Sequence, residues 1–315
     1  FSGIAKIGAA VMGGIGIADI ANTYKDFQQS MANTGAIAGV SKSSEGFKAL
    51  ENAALEAGRT TSKTAKEAAD ALGYMSLAGW TTQQSISGLM PVLRLSEASG
   101  ADLATTSDLV TDSMSAMGIA TSDLSKYLDI AANANNKTNQ TATQMLETFI
   151  GAGGMFKELG TSMEEAAALS GVLANRGIKG SEGATSLNSI LINLMGNSKS
   201  SAEALEKLGV SAYDSNGKFR GVTTTLKDIS AAMKNASDED RGWFLSKLGG
   251  KTQIDTLNAL LSGIETLGEN GKSEVENLTA AFKESGGALE EMSKRMNDTF
   301  SGALAILGSA TDDVK

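Results

Sequence analysis

The 315-residue chain contains neither cysteine nor histidine. Their absence excludes disulfide bonds, thiol nucleophiles, Ser-His and Cys-His catalytic arrangements, and zinc sites that use these two ligands. The net charge of −9 also argues against binding to nucleic acid phosphates. The composition therefore favours a protein without thiol or imidazole chemistry and without a specific nucleic acid partner.

Proline and aromatic residues are scarce as well. Pro91 is the only proline, and aromatic residues make up 5% of the chain. With so few breakers, long helices are possible, and the 36 glycines supply the turns instead. The helices must then pack closely through small and aliphatic side chains. We predict an all-α fold, with one helix bent or broken at Pro91.

Two motifs resemble chemical sites, but both fit helix ends better. Gly250-Lys251-Thr252 looks like the end of a phosphate-binding loop, yet Leu245 replaces the first glycine of that motif. Glu164 and Glu165 are neighbours at a predicted helix start, where the helix dipole favours acids, so they would not converge across a cleft. We therefore expect no catalytic residue, no cofactor and no metal site, and hence not an enzyme.

Small-residue helical hairpins recur about every 40 residues between residues 60 and 209. Each hairpin contains an apolar run, a corner glycine that can end a helix in the left-handed conformation, and a Ser, Thr or Asn that can cap the next helix. The corner glycines are Gly79, Gly118, Gly160 and Gly196. This region is predicted to be an array of helical hairpins, flanked by long terminal helices.

One stretch interrupts the helical pattern. Residues 210–222 contain Asn216-Gly217, a strong signal for a tight hairpin turn, with Tyr213 and Phe219 placed to pair across it. We predict a small β-hairpin there. The resulting divisions are an N-terminal region of three helices (1–58), the hairpin repeats (59–209), the β-hairpin with further helices (210–270), and terminal amphipathic helices (271–315).

Two apolar stripes at helical spacing are candidates for self-association. The first lies in the glycine-rich residues 1–20, for which membrane insertion and a tight leader into the fold are alternative interpretations. The second lies in a predicted helix over residues 288–307 and has the three- and four-residue intervals of a coiled coil. The stripe positions are Ile4, Ile7, Val11, Ile15, Leu289, Met292, Met296, Phe300, Ala303 and Leu307.

Several runs, in a fixed order, carry a resemblance to a known family. They are YKDFQQSMAN at 24–33, AGRTTS at 57–62, EAADAL at 67–72, LAGW at 77–80, NRGIKGSEGAT at 175–185, LGV at 208–210, GKFR at 217–220 and LGGK at 248–251. Together they resemble the core region of phage tail tape measure proteins of the lactococcal-type family. The resemblance covers roughly residues 21–264.

The resemblance implies a structural protein of a tailed phage or a related contractile particle. Such a protein would occupy the tail tube or tip of the virion, set tail length, and leave ahead of the DNA during ejection, after assembly in the host cytoplasm. Its partners would be further copies of itself, three being expected, the tail tube, and tail tip or baseplate hub proteins. Two alternatives remain open: a membrane-active ejection component that contacts the host membrane, and a cell-wall hydrolase.

Overall fold

A computed structural model describes residues 17–250 and 252–298. These residues form fifteen α-helices and one 3₁₀ turn, Thr121–Asp123, and they include no β-strand, which confirms the all-α class. The helices are α1 (Ile17–Ile37), α2 (Glu45–Thr60), α3 (Ala65–Leu77), α4 (Thr82–Ser99), α5 (Leu103–Met117), α6 (Leu124–Lys137), α7 (Ala142–Glu158), α8 (Met163–Ala174), α9 (Gly180–Leu194), α10 (Lys199–Leu208), α11 (Val222–Met233), α12 (Asp238–Gly249), α13 (Ile254–Glu265), α14 (Glu274–Lys283) and α15 (Ala288–Asn297).

The glycine corners form as predicted. All four adopt the left-handed conformation, with φ between 63° and 83°: Gly79, Gly118, Gly160 and Gly196. Three of the helices that follow begin at a capping residue whose side chain accepts a hydrogen bond from the backbone amide three residues later. These capping residues are Thr81, Ser162 and Ser198. After Gly118, the 3₁₀ turn leads into α6 instead, without a side-chain cap. Local chemistry therefore decides where these helices end and begin.

The predicted alternatives at Pro91 were a bend or a break in the helix, and the break does not occur. Helix α4 runs from Thr82 to Ser99 with Pro91 inside it. Proline removes one backbone hydrogen bond and crowds the preceding turn. Leu89, Val92 and Leu93 are all buried next to it, so tertiary packing of this face offsets the local cost.

The predicted β-hairpin near residues 210–222 is also wrong, although the chain does reverse there. Tyr213 and Phe219 form a single antiparallel bridge with their rings edge to face, centroids 5.9 Å apart. The Asp214 carboxylate accepts the turn amides of Asn216 and Lys218, which closes the turn. Only Arg220 and Gly221 lie between the bridge and α11, so the second side of the turn is too short to form a strand.

The chain divides into two compact units. The first combines the described residues up to Thr111 with α15 from Leu289 onward, and the second comprises Asp112–Ala288. In the first unit, α3 packs against α1, α2 and α4. In the second unit, α7 packs mainly along α9, while α8 is surrounded by α6, α13 and α14.

The second unit therefore differs from a simple row of hairpins. Residues 166–174 of α8 are all buried, so this helix has no polar face to turn outward. A linear array would leave one side of α8 in water, whereas the return of α14 from later in the chain covers it. Asn133 fixes that return, since its Nδ2 donates to the Ala281 carbonyl and to Ser285 Oγ at 3.2 and 2.9 Å.

Close helix packing through glycine holds the second unit together. A Cβ at Gly151 of α7 would lie 2.6 Å from Ala184 Cβ of α9, and one at Gly263 of α13 would lie 2.5 Å from Val172 Cγ1 of α8. Carbon atoms in contact normally lie about 3.5–4.0 Å apart. These helix pairs can approach so closely only because glycine has no side chain.

Candidate functional site

The predicted C-terminal stripe lies partly on α15 of the first unit. Leu289 is buried, Met292 is half-buried and Met296 is 47% exposed. The other predicted stripe positions lie outside the described residues: Ile4, Ile7, Val11, Ile15, Phe300, Ala303 and Leu307. Leu289 is thus covered in this structure, and Met296 is the most exposed of the three described stripe side chains.

A buried carboxylate holds α15 in place. Glu97, near the end of α4, is 8% exposed and is bonded through both oxygens. Oε1 accepts the Ser62 amide and the Ser62 hydroxyl, both at 2.8 Å. Oε2 accepts Ser293 Oγ and Asn297 Nδ2 from α15, both at 3.0 Å. A buried carboxylate needs such donors to offset its desolvation, so Glu97 links three segments that are far apart in sequence.

The ion pair between α15 and α4 lies at the surface and contributes little. Arg94 and Glu290 pair at 3.8 Å with side chains 42% and 74% exposed, a geometry expected to yield well under 1 kcal/mol. Glu290 and Glu291 in the first turn, with Lys294 and Arg295 in the last, suit the helix dipole. Of the polar contacts described between α15 and α4, the bonds to Glu97 are therefore the stronger.

The sequence predictions missed Glu97, Ser293 and Asn297. A signal for Glu97 does exist, because it lies four residues after the buried Leu93 and thus continues the apolar face of α4. A charged residue at such a position is rarely buried unless it is paired. The sequence alone does not identify its partners, because Ser62 lies 35 residues earlier and Ser293 and Asn297 lie 196 and 200 residues later.

A second apolar surface lies on the first unit. Ile37, Tyr74 and Leu77 are 41%, 37% and 67% exposed and line a cleft of about 310 Å³ between α1 and α3. Gly73, in the wall of the cleft, would place a Cβ only 3.1 Å from Thr34 Oγ1, so it allows the two helices to approach. Clustered exposed apolar side chains of this kind are typical of contact surfaces in assemblies.

The second unit contains a charged cleft of about 440 Å³ between α8, α11 and α14. Its acids are engaged within the fold. Glu165 Oε1 accepts the Thr223 amide and hydroxyl at 3.1 and 2.6 Å and so caps α11 from another helix. Lys227 Nζ lies 2.6 Å from Glu276 Oε1, and this hydrogen bond, with those from Ser273, lowers the pKa of Glu276 to about 2. Both acids that line the cleft therefore have partners within the fold.

The two adjacent acids at the start of α8 have separate partners. Burial, the largest single influence, would raise the pKa of Glu164, but the hydrogen bond with Lys126 at 2.5 Å, the Lys126 charge, the Glu164 backbone amide and Ser162 together lower it. Glu165 caps α11 as described above. The two carboxylates therefore do not form a catalytic pair. Within residues 17–250 and 252–298, no group of three Asp, Glu, His or Cys residues could hold a metal ion.

The described part of the Gly250-Lys251-Thr252 motif forms a corner between two helices. Gly250 has φ 67° and separates α12 from α13, while Lys251 lies outside the described residues. Within the described part of the chain, no helix combines the length and apolar character needed to span a membrane. The membrane interpretation of residues 1–20 falls almost entirely outside that part.

Comparisons with known proteins identify relatives of the whole chain. A family model described as phage-related minor tail protein matches residues 51–250. The chain is 29% identical to the tape measure protein of Pneumococcus phage Dp-1 over 92% of its length, and it spans 24% of that relative. It is 27% identical to the probable tape measure protein of Escherichia phage P2 over 99% of its length, and it spans 38% of that relative. No solved structure matches the chain.

Proposed function

The chain belongs to the phage-related minor tail protein family, and on this premise we propose that it forms a compact, self-associating part of a tail tape measure protein. The resemblance to tape measure proteins is confirmed by this match and by the two relatives. The chain is accordingly a structural component of a phage tail and not an enzyme, as its sequence predicts.

We propose that other parts of the polypeptide measure the tail. A continuous helix advances about 1.5 Å per residue, so an extended helix can convert chain length into tail length. The described helices are at most 21 residues long, which corresponds to about 32 Å, and each is followed by a turn. A chain folded in this way is poorly suited to measuring length, but it is suited to forming a compact domain that fills the tail tube or tip. Both relatives continue well beyond the matched region, which leaves room for measuring helices.

The proposed location is the tail tube or the tail tip, with release ahead of the DNA. The proposed partners are two further copies of the chain, the tail tube, and tail tip or baseplate hub proteins. Met292 and Met296 on α15 are the described candidates for contact between copies. The exposed group of Ile37, Tyr74 and Leu77 is the candidate surface for a tail partner. Both surfaces are apolar, as contacts in a permanent assembly require.

The observation that carries this proposal is the match to tape measure proteins along nearly the whole chain. A test is to insert about 20 flexible residues at the exposed corner residue Asn197 in the phage gene and to measure tail length by electron microscopy. A helix-forming insertion of the same length, placed in a measuring helix elsewhere in the polypeptide, is the comparison. We expect unchanged tails from the first and a shift of up to about 30 Å from the second. Equal lengthening by both insertions would contradict the division of roles.

Location can be tested because the chain has no cysteine. An Asn197→Cys variant carries one thiol, which a membrane-impermeant maleimide should label in the isolated protein. We expect the thiol to be protected in intact tails and to be lost from tails that have ejected their DNA. Full labelling in intact virions, or retention after ejection, would contradict the proposed place inside the tail.

A further inference from the structure

We propose that α15 has two alternative partners: Glu97 within its own chain, as in this structure, and a second copy of the chain after release from Glu97. This inference rests on the proposed self-association. It goes further by naming the residue that restrains α15 and the face of α15 that becomes available.

The two faces of α15 diverge along the helix. Ser293 and Asn297, four residues apart, contact Glu97 of α4, and the buried Leu289 lies four residues before Ser293 on the same side of the helix. The apolar stripe advances in steps of three and four, through Leu289, Met292 and Met296. The two faces coincide at Leu289, but Met296 and Asn297 are adjacent and therefore about 100° apart around the helix. In this structure α15 binds through its polar face, and its apolar stripe turns progressively away from that contact.

The contact with Glu97 is built to be reversible. Ser62 occupies one carboxylate oxygen, and α15 occupies only the other. When α15 leaves, Glu97 keeps both bonds from Ser62, and Oε2 becomes accessible to water, which replaces the lost donors. The buried carboxylate is therefore not stranded by release. Release of α15 also requires the buried Leu289 side chain to become exposed.

A second copy of α15 fits the released helix best. In the sequence, the stripe continues at Phe300, Ala303 and Leu307 with the same three- and four-residue intervals, as in helices that pair with one another. The chain carries a net charge of −9, which opposes contact between copies. On α15, however, Glu290 and Glu291 are balanced by Lys294 and Arg295, so this helix can meet a copy of itself without net repulsion.

Two variants test the proposal in the full 315-residue chain. Glu97→Gln removes the negative charge. It leaves one side-chain oxygen to accept hydrogen bonds from Ser62 on one side and from α15 on the other. Ser293→Ala combined with Asn297→Ala removes the α15 donors and leaves the Ser62 bonds intact, so it remains informative if Glu97→Gln unfolds the first unit. Glu290→Gln is the matched control, because it removes one exposed negative charge from the same contact region. Each variant is also made with Met292→Ser and Met296→Ser.

Two measurements decide the outcome. Hydrogen exchange follows the α15 amides, with α3 amides reporting on the rest of the first unit, and sedimentation equilibrium gives the association constant. For the Glu97 and Ser293/Asn297 variants, we expect α15 amides to exchange on the order of tenfold faster and association to tighten by a similar factor, because bonds to a charged group are lost. The methionine substitutions should remove the gain in association, and Glu290→Gln should change neither quantity.

Three results would overturn the proposal. The first is unchanged α15 exchange in both variants. The second is faster exchange without tighter association. The third is tighter association that survives the methionine substitutions. None of these results bears on tail length or on labelling of intact tails, so failure here is distinguishable from failure of the proposed function.

Discussion

Replacing Gly151 by alanine should separate two helices that can be in contact only because Gly151 has no side chain. The new Cβ would lie 2.6 Å from Ala184 Cβ, about 1 Å inside the normal contact distance, so α7 and α9 must move apart. Ala184 is a rigid obstacle, because its methyl group is attached directly to the backbone of α9. Gly154, three residues further along α7, is a matched control, since a Cβ there would meet no atom within 4 Å.

The two substitutions should differ in their effect on stability. Alanine in an exposed helix position is favoured over glycine by about 0.5–1 kcal/mol, and both variants gain this term. Only Gly151→Ala also incurs the cost of overpacking, about 1–3 kcal/mol. We therefore expect Gly154→Ala to be more stable than the wild type and Gly151→Ala to be less stable than Gly154→Ala by about 1–3 kcal/mol. Adding Ala184→Gly to Gly151→Ala should recover part of the loss, as a coupling between contacting sites.

The assay should report on the second unit alone. Trp80 lies in the first unit and Trp243 in the second, so a Trp80→Phe background leaves one fluorescent reporter of the relevant transition. Urea unfolding then gives the midpoint and its slope for each variant, and a midpoint shift at constant slope measures the change in stability. If Gly151→Ala is as stable as Gly154→Ala, close approach through glycine does not hold α7 and α9 together.

Three further predictions concern single contacts. Gly79→Ala should cost about 1 kcal/mol in thermal unfolding, because φ is 83° while the added methyl meets no neighbour; Gly79→Asn should cost less. Glu165→Ala should destabilise by about 0.5–2 kcal/mol through loss of the cap on Thr223, whereas Glu165→Gln, which keeps an acceptor, should lose less. Glu276→Gln should lower the melting temperature at pH 7 but not at pH 2. The pKa of Glu276 is depressed from 4.5 to about 2, so the stabilisation from Lys227 is complete above pH 4.5 and is lost as pH falls toward 2. A constant difference in melting temperature at all pH values would contradict this.

Helix boundaries were largely predictable because their signals are local. Thr64 and Glu67, a Thr followed three residues later by Glu, form a capping box, with Glu67 Oε2 2.8 Å from both the amide and the hydroxyl of Thr64. The cap and the corner glycine act within one turn of the chain, so three or four residues contain the whole interaction. The same locality explains why Gly79 could be assigned a left-handed conformation from sequence.

Features that depend on distant partners were not predictable in the same way. The Asn216-Gly217 turn forms, but a strand also needs a neighbour of sufficient length, and the turn signal carries no information about one. The burial of α8 depends on the return of α14, about a hundred residues later. The apolar stripe around Met296 was visible as a pattern, but its relation to the docked face of α15 was not, because that face is defined by the position of Glu97 on another helix.

Contacts between residues that are distant in sequence bear on function. A protein that acts through assembly depends on how firmly each helix is held in its own unit, since the same helix can pair elsewhere when it is released. Apolar periodicity shows which faces can pair, whereas isolated polar contacts such as Glu97 with Ser293 decide whether they are available. In a chain without histidine or cysteine, hydrogen bonds to carboxylates and amides must set that balance. Variation at such residues should therefore alter assembly while leaving the helices themselves intact.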